Sequence, residues 1–188
     1  NSMASIERIH QLWKNQSHPL LNERDYMNMA YELAIRKPSL HESIIDTQRN
    51  RLSNPDRLRE FDFISKAVTP DTLKMDECFQ SLMKAENRQI EPWAASALSY
   101  LNHPQRGDYA IKYIRPGLEV MEEIQRTGDI FFPRNWAGAL LRHHRSPEAY
   151  EEIQRFFNEH SDYPILLKNK ILQAAWPLYR EAANSLEM

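Results

Sequence analysis

Valine occurs only at positions 68 and 120 of this 188-residue chain, threonine is scarce, and no stretch alternates apolar and polar residues for long. Those residues and that alternation are what build strands, so the chain has little from which to make a sheet. Helix starts recur instead. Asn54-Pro55-Asp56, Thr69-Pro70-Asp71 and Ser146-Pro147-Glu148 share one arrangement. A side chain accepts an orphan backbone N–H, proline fits the first helical position, and an acid meets the positive end of the helix dipole. Ser39 with Glu42 has the spacing of a capping box. Between these starts lie apolar stripes at helical spacing: Tyr26, Met29, Ala30, Leu33 and Ala34; Leu58, Phe61, Ile64 and Val68; Trp93, Ala94, Ala97, Leu98 and Leu101. The pattern predicts an all-α fold of about ten helices.

The stretch 104–133 defines one corner of that fold. Ile111, Ile114, Leu118, Met121 and Ile124 predict one long helix, kinked or broken at Pro116 because proline lacks the N–H the helix ladder needs. Gly128 is expected to end it in the left-handed conformation that glycine enters without steric penalty. Asp129 to Pro133 then read as a short apolar link, with Phe131 and Phe132 buried and a second helix starting near Trp136. Successive short helices with one apolar stripe each favour antiparallel pairs stacked as a HEAT/armadillo-like superhelix, with a compact irregular bundle as the alternative. No Gly-, Ser- or Pro-rich linker interrupts the chain, so residues 1–188 read as a single helical domain. Residues 1–3 read as an expression scar and Ser185 to Met188 as a fraying end.

Charge excludes more than it suggests. The formal net charge is −2, so no basic excess advertises nucleic acid or an anionic membrane. No apolar run approaches the roughly 20 residues of a membrane helix, and the N-terminus carries no apolar signal-peptide segment. Cys78 is the only cysteine. It reads as a small buried hydrophobe, because nothing nearby would activate a thiol.

Several phrases resemble the C-terminal helical domain of zinc aminopeptidases of the aminopeptidase N family, the type seen in endoplasmic-reticulum aminopeptidases. They are Met29 to Pro38, Asn54 to Phe63, Asn87 to Trp93, Leu101 to Arg106, Gln125 to Pro133 and Leu167 to Gln173, in that order along the chain. The resemblance implies a parent enzyme that removes N-terminal residues from peptides, with zinc held in a catalytic domain upstream and no cofactor in this chain. It implies that the catalytic domain of the same polypeptide and peptide substrates are the partners. This domain would then wall the chamber over the active site.

The chain's own residues carry no catalytic constellation. A zincin needs two histidines at i and i+4 with an intervening glutamate. His41-Glu42 begins such a motif, but position 45 is Ile45. His143 and His144 are adjacent and diverge by about 100° on a helix. Surface or capping roles are expected for all seven histidines. No Gly-x-Ser-x-Gly elbow occurs, and Glu122-Glu123 and Glu151-Glu152 read as solvated helix faces. The better candidate for a binding surface is polar and aromatic: Arg88 and Glu91 opening a helix with Trp93, Arg106 after a proline turn, and Arg134, Asn135 and Trp136 opening another, where N–H groups and guanidinium could meet a carboxylate. The structural alternative is that Arg88, Glu91 and Arg106 form ion pairs between helices while Trp93 and Trp136 are core. A free-standing scaffold that binds a protein in its groove is the second functional expectation.

Overall fold

The fold is given by a computed structural model that describes residues 3–186, with side chains through Glu181. Asn1, Ser2, Glu187 and Met188, within the ends expected to be added or frayed, lie outside the described residues. Those residues are mostly helical, with no strand among them. None of their helices is long and apolar enough to cross a membrane.

The backbone groups into two compact units, Asn1–Cys78 and Phe79–Met188. The first contains α1 (Met3–Asn15), α2 (Glu23–Arg36), α3 (His41–Arg51) and α4 (Pro55–Ile64), and the boundary falls inside α5 (Thr72–Leu82). Here α2 packs on both α1 and α3. Tyr31 stacks on Phe61 at 5.0 Å between ring centroids, and Met27, Ala30, Leu33, Ala34 and Ile44 fill the space around them. Trp13 is buried, and its indole N–H donates to Gln48 Oε1 at 2.8 Å, so the polar atom of each is satisfied inside.

The second unit contains α6 (Glu91–Leu101), α7 (Gly107–Ala110), α8 (Ile114–Glu119), α9 (Met121–Thr127), α10 (Phe132–Leu141), α11 (Pro147–Glu159), α12 (Ile165–Ala174) and α13 (Trp176–Leu186). Its centre is α10, which packs on α6 and α12 and also meets α8 and α9. Trp136, Ala137, Leu140 and Leu141 of α10 are fully buried, against a core drawn from Ala94, Leu98, Ile114, Leu118, Met121, Ile124 and Ile171.

The caps show which local signals hold. Asn54 accepts the N–H groups of Asp56 and Arg57, and Ser146 that of Ala149, as their sequences predict. At Thr69-Pro70-Asp71 the cap moves two residues: Asp71 Oδ1 accepts from Leu73 and Lys74, while Thr69 Oγ1 holds the Asp71 N–H. The helix starts directly after Asp71, and aspartate is a better N-cap than threonine. Ser39 and Glu42 form no capping box, because Pro38 opens a 3₁₀ turn through Leu40 and α3 follows from it directly. The capping box that does form was not anticipated. Asn22 accepts from Arg24 and Asp25 at the start of α2, and Asp25 accepts back from the Asn22 N–H at 2.8 Å.

The predicted long helix is divided. A 3₁₀ turn at Ile111–Tyr113 separates α7 from α8, and Val120 separates α8 from α9. The first break lies upstream of Pro116 for a simple reason. The N–H that proline lacks would have bonded the carbonyl of Lys112, so the ladder fails there rather than at the ring.

Candidate binding surface

Gly128 ends α9, but not by the left-handed route. Its φ is −95° and ψ 174°, extended backbone open to any residue, and no described glycine has positive φ. What the position needs is space. A Cβ there would lie 2.8 Å from the Ile124 carbonyl oxygen, 2.8 Å from Phe132 Cδ1 and 3.0 Å from Glu91 Oε1. Glu91 opens α6, and its Oε1 accepts the Asp129 N–H at 2.7 Å. The carboxylate thus ties the start of one helix to the turn after another, across the bare glycine. Gly128→Ala is expected to destabilise the domain by about 1–3 kcal/mol through overpacking. Urea unfolding of the variant checks this; a loss below about 0.5 kcal/mol, the size of an ordinary surface change, would show that the corner yields freely.

The rest of the corner departs from expectation in two ways. Helix α10 begins at Phe132, not near Trp136, because the Asp129 side chain and carbonyl accept the Phe131 and Phe132 N–H groups and close the turn early. That leaves Pro133 within the first turn of α10, where its missing N–H is harmless. Phe132 is buried and meets Trp136 edge-on at 5.9 Å. Phe131, one residue earlier, is 64% exposed.

The six residues nominated from the sequence fall into two groups. Arg88, Glu91 and Trp136 gather inside the second unit. Arg88 closes a 3₁₀ turn, Ala85–Arg88, ahead of α6 rather than lying on it. Its buried guanidinium donates to the Leu82 carbonyl at 2.7 Å and to Glu123, and stands over the Trp136 ring at 5.7 Å. The Trp136 N–H donates to the Gly117 carbonyl at 2.8 Å. Every donor named here already has an internal acceptor. Arg134 and Asn135 instead lie exposed in the first turn of α10, and Arg106 is half-buried at the end of the Pro104–Arg106 turn. Trp93 is half-buried rather than core, and Cys78 is likewise only partly buried.

Arg134 also borders a groove of about 330 Å³, shared with Arg142, Lys170 and Trp176. These partners were missed from the sequence. They come from three helices, and no local spacing links them.

His144 corrects the expectation of surface or capping histidines. His103 does cap, its Nδ1 accepting the Gln105 N–H at 3.2 Å. His144 is buried, with Nε2 2.9 Å from Asn102 Oδ1. Asn102 Nδ2 donates to the Leu98 carbonyl at 2.9 Å, so its amide oxygen must face the ring. The ring's Nε2 therefore carries the hydrogen. Burial, and then the neighbouring His143 and Arg145, push the His144 pKa down to about 4. A signal was available: Ala137, Leu140, Leu141 and His144 continue one stripe at i, i+3, i+4 and i+7.

Among the described residues no three His, Cys, Asp or Glu side chains come together as a metal site. His41 and Glu42 open α3 with Ile45 one turn on. No family model matches the chain, and no curated protein or solved structure matches it.

Proposed function

We propose that this chain is the non-catalytic C-terminal helical domain of a zinc aminopeptidase of the aminopeptidase N family. The observation that carries this reading is the ordered series of phrases from Met29 to Gln173, which spans most of the chain. The all-helical fold agrees with it. In the second unit α10 packs on α6 and on α12, which supports antiparallel helix pairs stacked in the HEAT/armadillo manner. The domain's work is to enclose the substrate chamber and so limit which peptides enter. Its partners are the catalytic domain of the same polypeptide, which holds the zinc, and the peptides themselves. Ile130, Phe131, Ile165 and Leu166 are exposed apolar residues, of the kind that a neighbouring domain covers.

The test is the intact open reading frame. The expected frame encodes a His-Glu-x-x-His segment upstream, and its product hydrolyses an aminoacyl reporter until a chelator is added. The present chain alone is expected to hydrolyse nothing and to retain no stoichiometric zinc after dialysis. A stop codon just upstream would overturn the reading and leave a free-standing helical scaffold that binds a protein.

A further inference from the structure

Arg134 and Gly138 of α10 and Arg142, its C-cap in helical conformation, recur every four residues and so share one stripe. Lys170, Gln173 and Ala174 of α12 line the same groove, together with Trp176 and Pro177 at the start of α13. Gly138 makes room. A Cβ there would meet Arg142 Nη2 at 2.9 Å, so the bare backbone lets the guanidinium fold over the helix.

The lining holds three cations and no acid. Several arginines elsewhere are matched: Arg24 with Glu60, Arg49 with Asp62, Arg115 with Glu119 and Glu159, Arg155 with Glu152. Among the described residues neither Arg134 nor Arg142 has a carboxylate partner. Unmatched cations around one concavity raise the local concentration of anions and give a carboxylate forked donors. Trp176, 65% exposed, forms the rim. On its other side Asn169, Leu172 and Gln173 line a second hollow of about 440 Å³. A large indole shared by a cationic and a partly apolar hollow suits a ligand with both characters.

We propose that this groove binds an acidic peptide segment in extended conformation. Arg134 and Arg142 are eight residues apart on a helix, about 12 Å along its axis. An extended chain advances about 3.3 Å per residue and shows alternate side chains on one face. Acids at i and i+4 therefore face the two arginines about 13 Å apart, and an apolar residue at i+2 lies between them against Trp176. A small anion can satisfy only one end of this span, so a peptide fits better than a free phosphate. The inference rests on the groove alone and holds whether or not the chain belongs to a peptidase.

The test uses this chain and a synthetic peptide containing Glu-Ser-Leu-Ser-Glu, titrated by calorimetry and by tryptophan fluorescence. The expected result is saturable binding. It weakens about tenfold or more, the size of a lost charge-assisted pair, with the Gln-Ser-Leu-Ser-Gln peptide and with the Arg134→Gln/Arg142→Gln double variant. Trp176→Ala weakens it as well, and so does raising salt from about 50 mM to about 500 mM. Both arginines are exposed, so the double variant should keep the parent's melting temperature, which separates lost binding from lost fold. Equal binding of the two peptides, an unaffected double variant, or no saturation at millimolar peptide would overturn the proposal. Competition by inorganic phosphate as effective as by the acidic peptide would overturn it too, and make the groove a small-anion site.

Discussion

Replacing Trp136 with alanine should cost the second unit about 3–5 kcal/mol, the range for removing a large buried aromatic and leaving its cavity. The indole is fully buried and performs three tasks at once. It fills the space between α10 and its neighbours, meets Phe132 edge-on, and donates to the Gly117 carbonyl. It also lies under the Arg88 guanidinium. Alanine removes all of these and orphans a buried carbonyl, which adds about 1 kcal/mol or more. Trp136→Phe keeps an aromatic face and loses only part of the volume and the N–H, so it should fall between, near 2 kcal/mol. Urea unfolding of both variants decides this. A loss under about 1 kcal/mol for the alanine variant would mean that the surrounding helices collapse onto the gap, and that the core is less specific than its burial suggests.

Acid should weaken the fold through His144. The sign follows from the direction of the shift. The folded pKa is about 4 against an ordinary 6.5, so below pH 6.5 the unfolded chain takes up a proton that the folded chain refuses. The contribution is fully present above pH 6.5 and is lost as pH falls through the window down to about 4, where the loss reaches about 3 kcal/mol. His144→Gln, which cannot titrate, should be less stable than the parent at neutral pH yet fall less steeply across that window. Carboxylates titrate in both proteins, and the difference between the two curves isolates the imidazole. Parallel curves from pH 7 to 4 would show that His144 charges freely in the folded state.

The helical class was legible because it depends on local chemistry: which residues alternate, and which cap. Asn54 and Ser146 cap as read because asparagine and serine rank level with aspartate as N-caps, while threonine ranks below it. Thr69 fails because Asp71 offers a stronger acceptor two residues on, and Ser39 fails because Pro38 starts its own turn. Gly128 was the right residue for the wrong reason. A sequence shows that glycine is present, but not whether torsion or a neighbour's approach requires it, and here the neighbours are Phe132 and Glu91. Arg88 shows the same limit. Its partners Leu82, Glu123 and Trp136 come from three elements, so nothing in its own neighbourhood distinguished a buried cation from a surface one. The groove lay beyond reach for that reason too, since Arg134 and Arg142 meet Lys170 and Trp176 only after α10 and α12 pack.

The division of residues 104–127 into short pieces bears on the order in which the second unit assembles. Helices of one or two turns cannot pass the nucleation barrier alone, because fixing the first turn costs more than its few hydrogen bonds return. The pieces α7, α8 and α9 therefore have no standing before a surface exists to receive Ile114, Leu118, Met121 and Ile124. That surface includes α10, which meets α8 and α9 and packs on α6, and the α6–α10 pairing must close the whole intervening loop. Loop closure grows only logarithmically with length, so the long excursion adds little to the entropy of docking the two longer helices. The short helices then solidify as passengers on a frame they did not build.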